Sequence, residues 1–174
     1  VYVALSLAYT FAIKRVLWLD VLVLAALYVL RVAAGAFAIA VTLSPWLLGF
    51  ALFLFVSLAA LKRCGELAMH TGDALDGRAY RSADAPIVLA VGVASALTAV
   101  LVFALYVQSE DVRRLYARPE WLWLVAPVLL YWLARLWTLA GRGLVRADPI
   151  LFALRDPASY LSGLALLALF RSAL

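Results

Sequence analysis

The stretch VAAGAFAIAVTLSPWLLGFALFLFVSLAAL, residues 32–61, contains no Asp, Glu, Lys or Arg. A soluble domain needs a polar surface, and about 25% of an ordinary chain is charged. Here 14% of 174 residues are charged, 68% are hydrophobic, and the mean hydropathy is +1.04. About 20 apolar residues cross a bilayer as a helix. Near the middle of the stretch stands Ser44-Pro45, a cap residue followed by proline at the first helical position, which starts a new helix. The stretch is therefore the end of one membrane span and most of the next. That excludes a soluble globular domain and a disordered chain. The only cysteine is Cys64, which excludes an intrachain disulfide framework, and the single His70 excludes a histidine-rich metal site.

Working outward, the same signals recur. Asp20 is expected to N-cap a helix over residues 20–41, its carboxylate accepting free backbone N–H groups. The helix opened by Ser44-Pro45 runs over 45–66. Residues 66–85 form the longest polar connection, after which Pro86 opens a span over 86–107. A second polar connection, 108–120, leads to a span over 121–140, ended by Gly141 and Gly143. Asp148-Pro149 and Asp156-Pro157 repeat the cap-plus-proline signal, giving a short helix and then a last span over 157–174. Residues 1–13 are apolar but too short to span, and they lack the basic start of a signal peptide. They are expected to be the tail of a helix that begins upstream. Alternating strands are absent and open sheets cannot cross lipid. The expectation is an all-α, multi-pass helix bundle in a single transmembrane domain, with one partial and about five full spans.

The net charge is +5 and the isoelectric point about 9.7. The positive charge lies in short connections between apolar runs, so it reports topology rather than nucleic-acid binding. One side holds Lys14, Arg15, Lys62, Arg63, Arg78, Arg81, Arg142, Arg146 and Arg155, and the other Arg113, Arg114, Arg118 and Arg171. The richer side is expected in the cytoplasm, with the chain in a prokaryotic-type cytoplasmic membrane. Trp18, Trp46, Trp121 and Trp137 fall near span ends, as an interfacial belt requires.

Some polar residues do not fit lipid. Arg31 lies eleven residues past Asp20, roughly 16 Å along the axis at the helical rise. Such a charge needs a cavity or a partner. Either Arg31 points into the bundle and marks a substrate cavity, or it pairs with an acid on a neighbouring helix. Gly35, four residues on, shares its face and leaves room for close approach. Lys62, Arg63 and Glu66 crowd one helix end, where Lys62 and Glu66 stand at i,i+4 and Arg63 is one turn from Glu66, so that an internal ion pair can form. Asp73-x-x-Asp76 is a weak candidate for an oxygen-ligated cation, with a solvated loop as the plainer reading. Arg155-Asp156 marks a helix boundary first. Taken together, Lys14, Arg15, Lys62, Arg63 and Arg155 converge on one membrane face, with Arg31 deeper, which suits a phosphate or diphosphate. Glu66 with Asp73 and Asp76 would support Mg²⁺, which bridges substrate phosphates.

Three words carry a resemblance: YTFAIKRVLWLDVLVLAALYVLRVAAGAFAI (9–39), LKRCGEL (61–67) and FALRDPASY (152–160). They resemble the UbiA superfamily of membrane prenyltransferases, most closely its decaprenyl-phosphate phosphoribosyltransferase branch, and they spread over nearly the whole chain. The resemblance implies a nine-helix bundle around a lipid-facing cavity, of which these residues would be the last six helices. It implies Mg²⁺, a polyprenyl lipid substrate, and phosphoribosyl diphosphate or an aromatic acceptor as the second reactant. It implies substrate-binding roles for Tyr9, Lys14, Asp20, Lys62, Arg63, Arg155 and Asp156, and reactive-centre roles for Arg31 and Glu66. The family's first Asp-rich motif would precede Val1, so the 174 residues are expected not to catalyse transfer alone. No Asp-x-x-x-Asp follows Glu66, which favours the phosphoribosyl branch. The competing class is a transporter or lipid-binding subunit. A transporter should show internal repeats and helices broken at the midplane. No repeat is visible, and the helix breaks lie at span ends.

Overall fold

The computed structural model describes residues 2–41, 43–70, 72, 77–145 and 148–174. The chain is an all-α membrane protein, with no β-sheet among the described residues. Its helices are α1 (Tyr2–Phe11), α2 (Leu19–Ala38), α3 (Pro45–Met69), α4 (Ala85–Val107), α5 (Glu110–Leu115), α6 (Val125–Gly141), α7 (Pro149–Ala153) and α8 (Pro157–Ala173). Short 3₁₀ segments at Ser82–Asp84 and Pro119–Leu124 extend α4 and α6 at their starts. Among the described residues, four helical segments are long and apolar enough to cross a membrane: Leu19–Ala38, Pro45–Met69, Ser82–Val107 and Pro119–Gly141. The 17 residues of α8 add about 25 Å at the helical rise, slightly less than a hydrocarbon core.

Successive spans alternate in direction. Ala60 of α3 meets Gly92 near the start of α4, and Gly49 meets Val102 near its end. The first half of α2 packs on α3, and α1 runs antiparallel to α2. α8 returns along α6 and ends where the Arg118 N–H donates to the Ala173 carbonyl at 2.9 Å. One end of the bundle thus holds the turn before α2, the end of α3, residues 77–84 and α7. The opposite end holds α5 and the start of α6, plugged by the fully buried Val112 and Leu122.

The α3–α4 interface is the largest, and small residues make it close. Gly92, Ser95, Ala96 and Ala99 recur at helical spacing on the buried face of α4. Gly92 also admits Trp137 of α6: a Cβ built there would stand 2.1 Å from the indole ring. The Trp137 Nε1–H donates to Ser57 Oγ at 2.9 Å. Trp137 is therefore a core residue and not part of an interfacial belt. Its apolar ring fits a slot that exists only because residue 92 has no side chain. Large apolar side chains such as Leu97, Leu101, Leu164 and Leu167 face outward, where the surrounding medium is lipid.

Several boundaries differ from the sequence reading. Asp20 is not an N-cap: α2 begins one residue earlier and Trp18 occupies the cap, at φ +62°. The connection 108–120 is not plain loop, because α5 forms there. Gly35 faces open space, with nothing within 4 Å of an added Cβ, so no other described element approaches it. Two sequence signals hold. Asp156 caps α8, accepting from the Ser159 N–H, and Gly143 adopts φ +69°, a left-handed turn that glycine takes without strain.

Filling the slot at Gly92 should loosen α4 from α6. Gly92→Leu is expected to cost about 1–3 kcal/mol, the usual range for forced overpacking. Reversible unfolding in mixed detergent micelles measures this, and a variant as stable as the parent would refute the packing assignment.

Candidate functional site

The charged residues of the sequence gather at the end built from the close of α3. Arg63 and Asp20 are both fully buried, with Nε 2.8 Å from Oδ2, near enough for an ion pair though off the line of a straight hydrogen bond. Asp20 Oδ1 accepts from the Tyr80 hydroxyl at 2.7 Å, and Arg78 Nη1 stands 3.4 Å from Oδ2. The other end of the Arg63 guanidinium donates to Glu66 and, at 3.4 Å, to the Tyr9 hydroxyl. Arg78 Nε is 3.2 Å from the same Glu66 oxygen. Two carboxylates face two guanidiniums, so the cluster is neutral as a unit. Burying a guanidinium costs several kcal/mol unless it is paired and hydrogen-bonded. That cost is why Arg63 is turned to carboxylates and not to the cleft.

Tyr80 closes the cluster from the connection after α3. Its hydroxyl also accepts from the Trp18 N–H at 3.2 Å, and its ring meets the Trp18 indole edge-on with centroids 6.2 Å apart. These contacts hold Trp18 in its left-handed conformation. Burial, then the hydrogen bond to Asp20 and its charge, push the Tyr80 phenol well above its usual range.

Lys62 takes a different partner. Its Nζ lies 2.8 Å from Asp148 Oδ2, which ties α3 to the segment entering α7, and both side chains are about one-third exposed. The Lys62–Glu66 pair expected from i,i+4 spacing does not form, because Arg63 and Arg78 occupy Glu66. Below Lys62 and Asp148 lies a narrow cleft of about 40 Å³, lined by Leu24, Tyr28, Phe55, Leu58, Ala59 and Pro149. The Tyr28 and Phe55 rings stack with centroids 5.1 Å apart.

The remaining expected residues divide. Lys14 sits half-buried in the 3₁₀ turn Ile13–Arg15 that follows α1. Asp156 receives both Arg135 nitrogens, at 2.7 and 2.9 Å, and caps α8, so it ties α6 to α8. Arg155 is exposed at the break before α8. Asp73 and Asp76 lie outside the described residues. Arg31 does not point into the bundle. It is exposed on α2, donates to the Tyr2 hydroxyl, and lies over the Tyr2 and Tyr28 rings at 5.2 and 4.9 Å. The helix face buried on α3 belongs to Val21 and Ala25, and Arg31 flanks it beside α1. Among the described residues no three His, Cys, Asp or Glu side chains converge as metal ligands. Glu66 is engaged by two guanidiniums, so the described residues do not form a Mg²⁺ site.

Sequence reasoning missed Arg78, Tyr80 and Asp148. Asp148 carried only a capping signal, and Arg78 and Tyr80 lie in an irregular connection with no periodicity to read.

Breaking the buried pair should be costly. Asp20→Asn leaves Arg63 without its fully buried counter-charge, and a loss of about 3 kcal/mol or more is expected in micellar unfolding. Lys62→Ala at the half-exposed pair should stay within about 1 kcal/mol. Equal losses from the two would contradict the burial described. A pH effect follows from Tyr80. Its folded pKa is raised, so its contribution is fully present below the unfolded value of about 10 and is lost as pH rises toward the folded value. The parent should therefore lose stability relative to Tyr80→Phe above about pH 10, read from paired melting curves. Parallel curves would remove Tyr80 from the buried cluster.

No protein-family model matches the chain. Two curated proteins do. It is 38% identical over 174 residues to Uncharacterized protein y4nM of Sinorhizobium fredii, covering 98% of this chain and 34% of that protein. It is 36% identical over 170 residues to Nodulation protein NoeC of Azorhizobium caulinodans, covering 95% of this chain and 55% of that protein. The chain is thus similar along nearly its whole length to parts of two longer rhizobial proteins, and it spans about a third and about half of their lengths.

Proposed function

We propose that the chain belongs to an integral-membrane transferase of UbiA type that acts on a polyprenyl phosphate. The favoured reaction is phosphoribosyl transfer from phosphoribosyl diphosphate to the lipid phosphate. The observation that carries this reading is the position of Lys62: a half-exposed ammonium at the head of an apolar cleft that opens along α2 and α3. A polyprenyl phosphate has the matching form, one anionic head on a long apolar tail. The cleft holds about 40 Å³, so only the head reaches Lys62 and the tail lies along the lipid-facing helices.

Lys62 is the phosphate-binding group in this reading. Asp148 holds it at the head of the cleft and gives it up to the incoming anion. Asp20, Arg63, Glu66, Arg78 and Tyr80 fix the end of α3 and so position Lys62. They do not meet the substrate. Departure of diphosphate from the ribose carbon leaves a carbon that can carry positive charge, and fixed cations stabilise the departing anion. Exclusion of water by the bundle protects that carbon. Magnesium, which the resemblance implies, takes one or two carboxylates plus phosphate oxygens. Those carboxylates are not supplied by the described residues, and no step is assigned to the metal. The richer basic side faces the cytoplasm of a bacterial inner membrane in this reading. The likeness to a relative named as a nodulation protein gives a setting in which to look for the product.

The test is a transfer assay on membranes carrying the protein as its gene encodes it. One arm supplies labelled phosphoribosyl diphosphate with polyprenyl phosphate, the other polyprenyl diphosphate with an aromatic acid. Product is expected in the first arm, and Lys62→Ala should lower its rate at least tenfold with little change in melting temperature. Product in the second arm alone moves the reaction to aromatic prenylation. Product in neither rejects the transferase reading.

A further inference from the structure

Arg31 takes no part in the proposed site. Arg31 sits in the middle of a membrane-spanning helix, roughly 16 Å from Asp20 at the helical rise. Its guanidinium donates to one neutral hydroxyl, that of Tyr2, and lies over the Tyr2 and Tyr28 rings, and among the described residues no carboxylate is paired with it. Ring faces and a phenol attract a cation but leave its charge uncompensated in lipid. The surroundings are equally open. The buried residues of α2 end at Leu27, and residues 34, 35, 37 and 38 are all exposed. An added Cβ at Gly35 would meet nothing within 4 Å. The helix therefore has a covered half and a bare half, with a cation where the bare half begins.

We infer that the bare half of α2 is a docking face for another transmembrane helix, one that carries an Asp or Glu at the depth of Arg31. Charge complementarity selects the occupant. A purely apolar helix would bury the guanidinium without a counter-charge. A second copy of this chain has no suitable acid to give. Its described acidic residues lie toward the two bundle ends, and Asp156, at the start of α8, is already held by Arg135. A carboxylate at mid-depth would complete both hydrogen-bonding and charge, and the small side chains of Ala34, Gly35 and Ala38 allow the two backbones to approach closely. The inference does not rest on the transfer chemistry proposed at Lys62.

Photocrosslinking tests it with Arg31 intact, so the result does not depend on how variants at that position fold. A benzophenone amino acid replaces Ala34 in the protein as its gene encodes it, in native membranes, with Leu101 of α4 as a lipid-facing control. The expected product at Ala34 is a crosslink to an apolar helical peptide, identified by mass spectrometry, with an Asp or Glu within about one turn of the crosslinked residue. Arg31→Asp should then abolish the crosslink at least tenfold, and exchanging the mapped acid for Arg in the same protein should restore it. A crosslink to lipid alone, to the described residues of a second copy, or to a helix without an acid would each overturn the inference.

Discussion

The Asp20–Arg63 ion pair is the constraint on which the charged end of this bundle depends. Both side chains are fully shielded from solvent, and each would cost several kcal/mol to bury alone. The pair persists because other groups complete it. Tyr80 and Arg78 come from the connection after α3, Tyr9 from α1, and Glu66 from one turn along α3. One pair thereby gathers four segments that are remote in sequence. It also fixes where α3 ends relative to α2, and so where Lys62 stands over the cleft.

The apolar body is held by a different device. With lipid outside, burying apolar surface gives little drive for helices to associate, and close packing must supply it. Gly92 is the clearest case, since its missing side chain lets Trp137 lie between α4 and α6 and reach Ser57. Buried polar contacts such as Trp137–Ser57 and Arg135–Asp156 then fix the pairing, because an unpartnered polar group in a dry interior is expensive. The spine formed by α3, α4 and α6 is closely packed for this reason, while the buried residues of α2 lie along its first half.

This division explains how the charges are used. Those that are fully buried, above all Arg63 and Asp20, neutralise one another and serve the framework. The half-exposed Lys62 can exchange Asp148 for another anion at small cost, because an exposed pair contributes little. Arg31 differs from both: it lies in an apolar zone with aromatic and hydroxyl contacts, and its helix is bare beyond it.

The sequence by itself determined the class of the molecule. Uncharged runs such as residues 32–61 leave no soluble alternative, and Ser44-Pro45, Pro86 and Asp156-Pro157 marked the helix starts to within a residue or so. These signals are local: span length and capping depend on neighbours a few positions away. It also marked Lys62, Arg63 and Glu66 as a charged group at one helix end. What it could not give was the partner of each charge. Spacing put both Lys62 and Arg63 within reach of Glu66; Arg63 takes it together with Arg78, while Lys62 turns to Asp148, remote in the chain. Asp20 looked like a helix cap and is the core of an ion pair, and Trp137 looked interfacial and is buried. Only the tertiary structure decided these, because pairing in a dry interior is set by which helices meet and how deeply, and no local pattern in the chain records that.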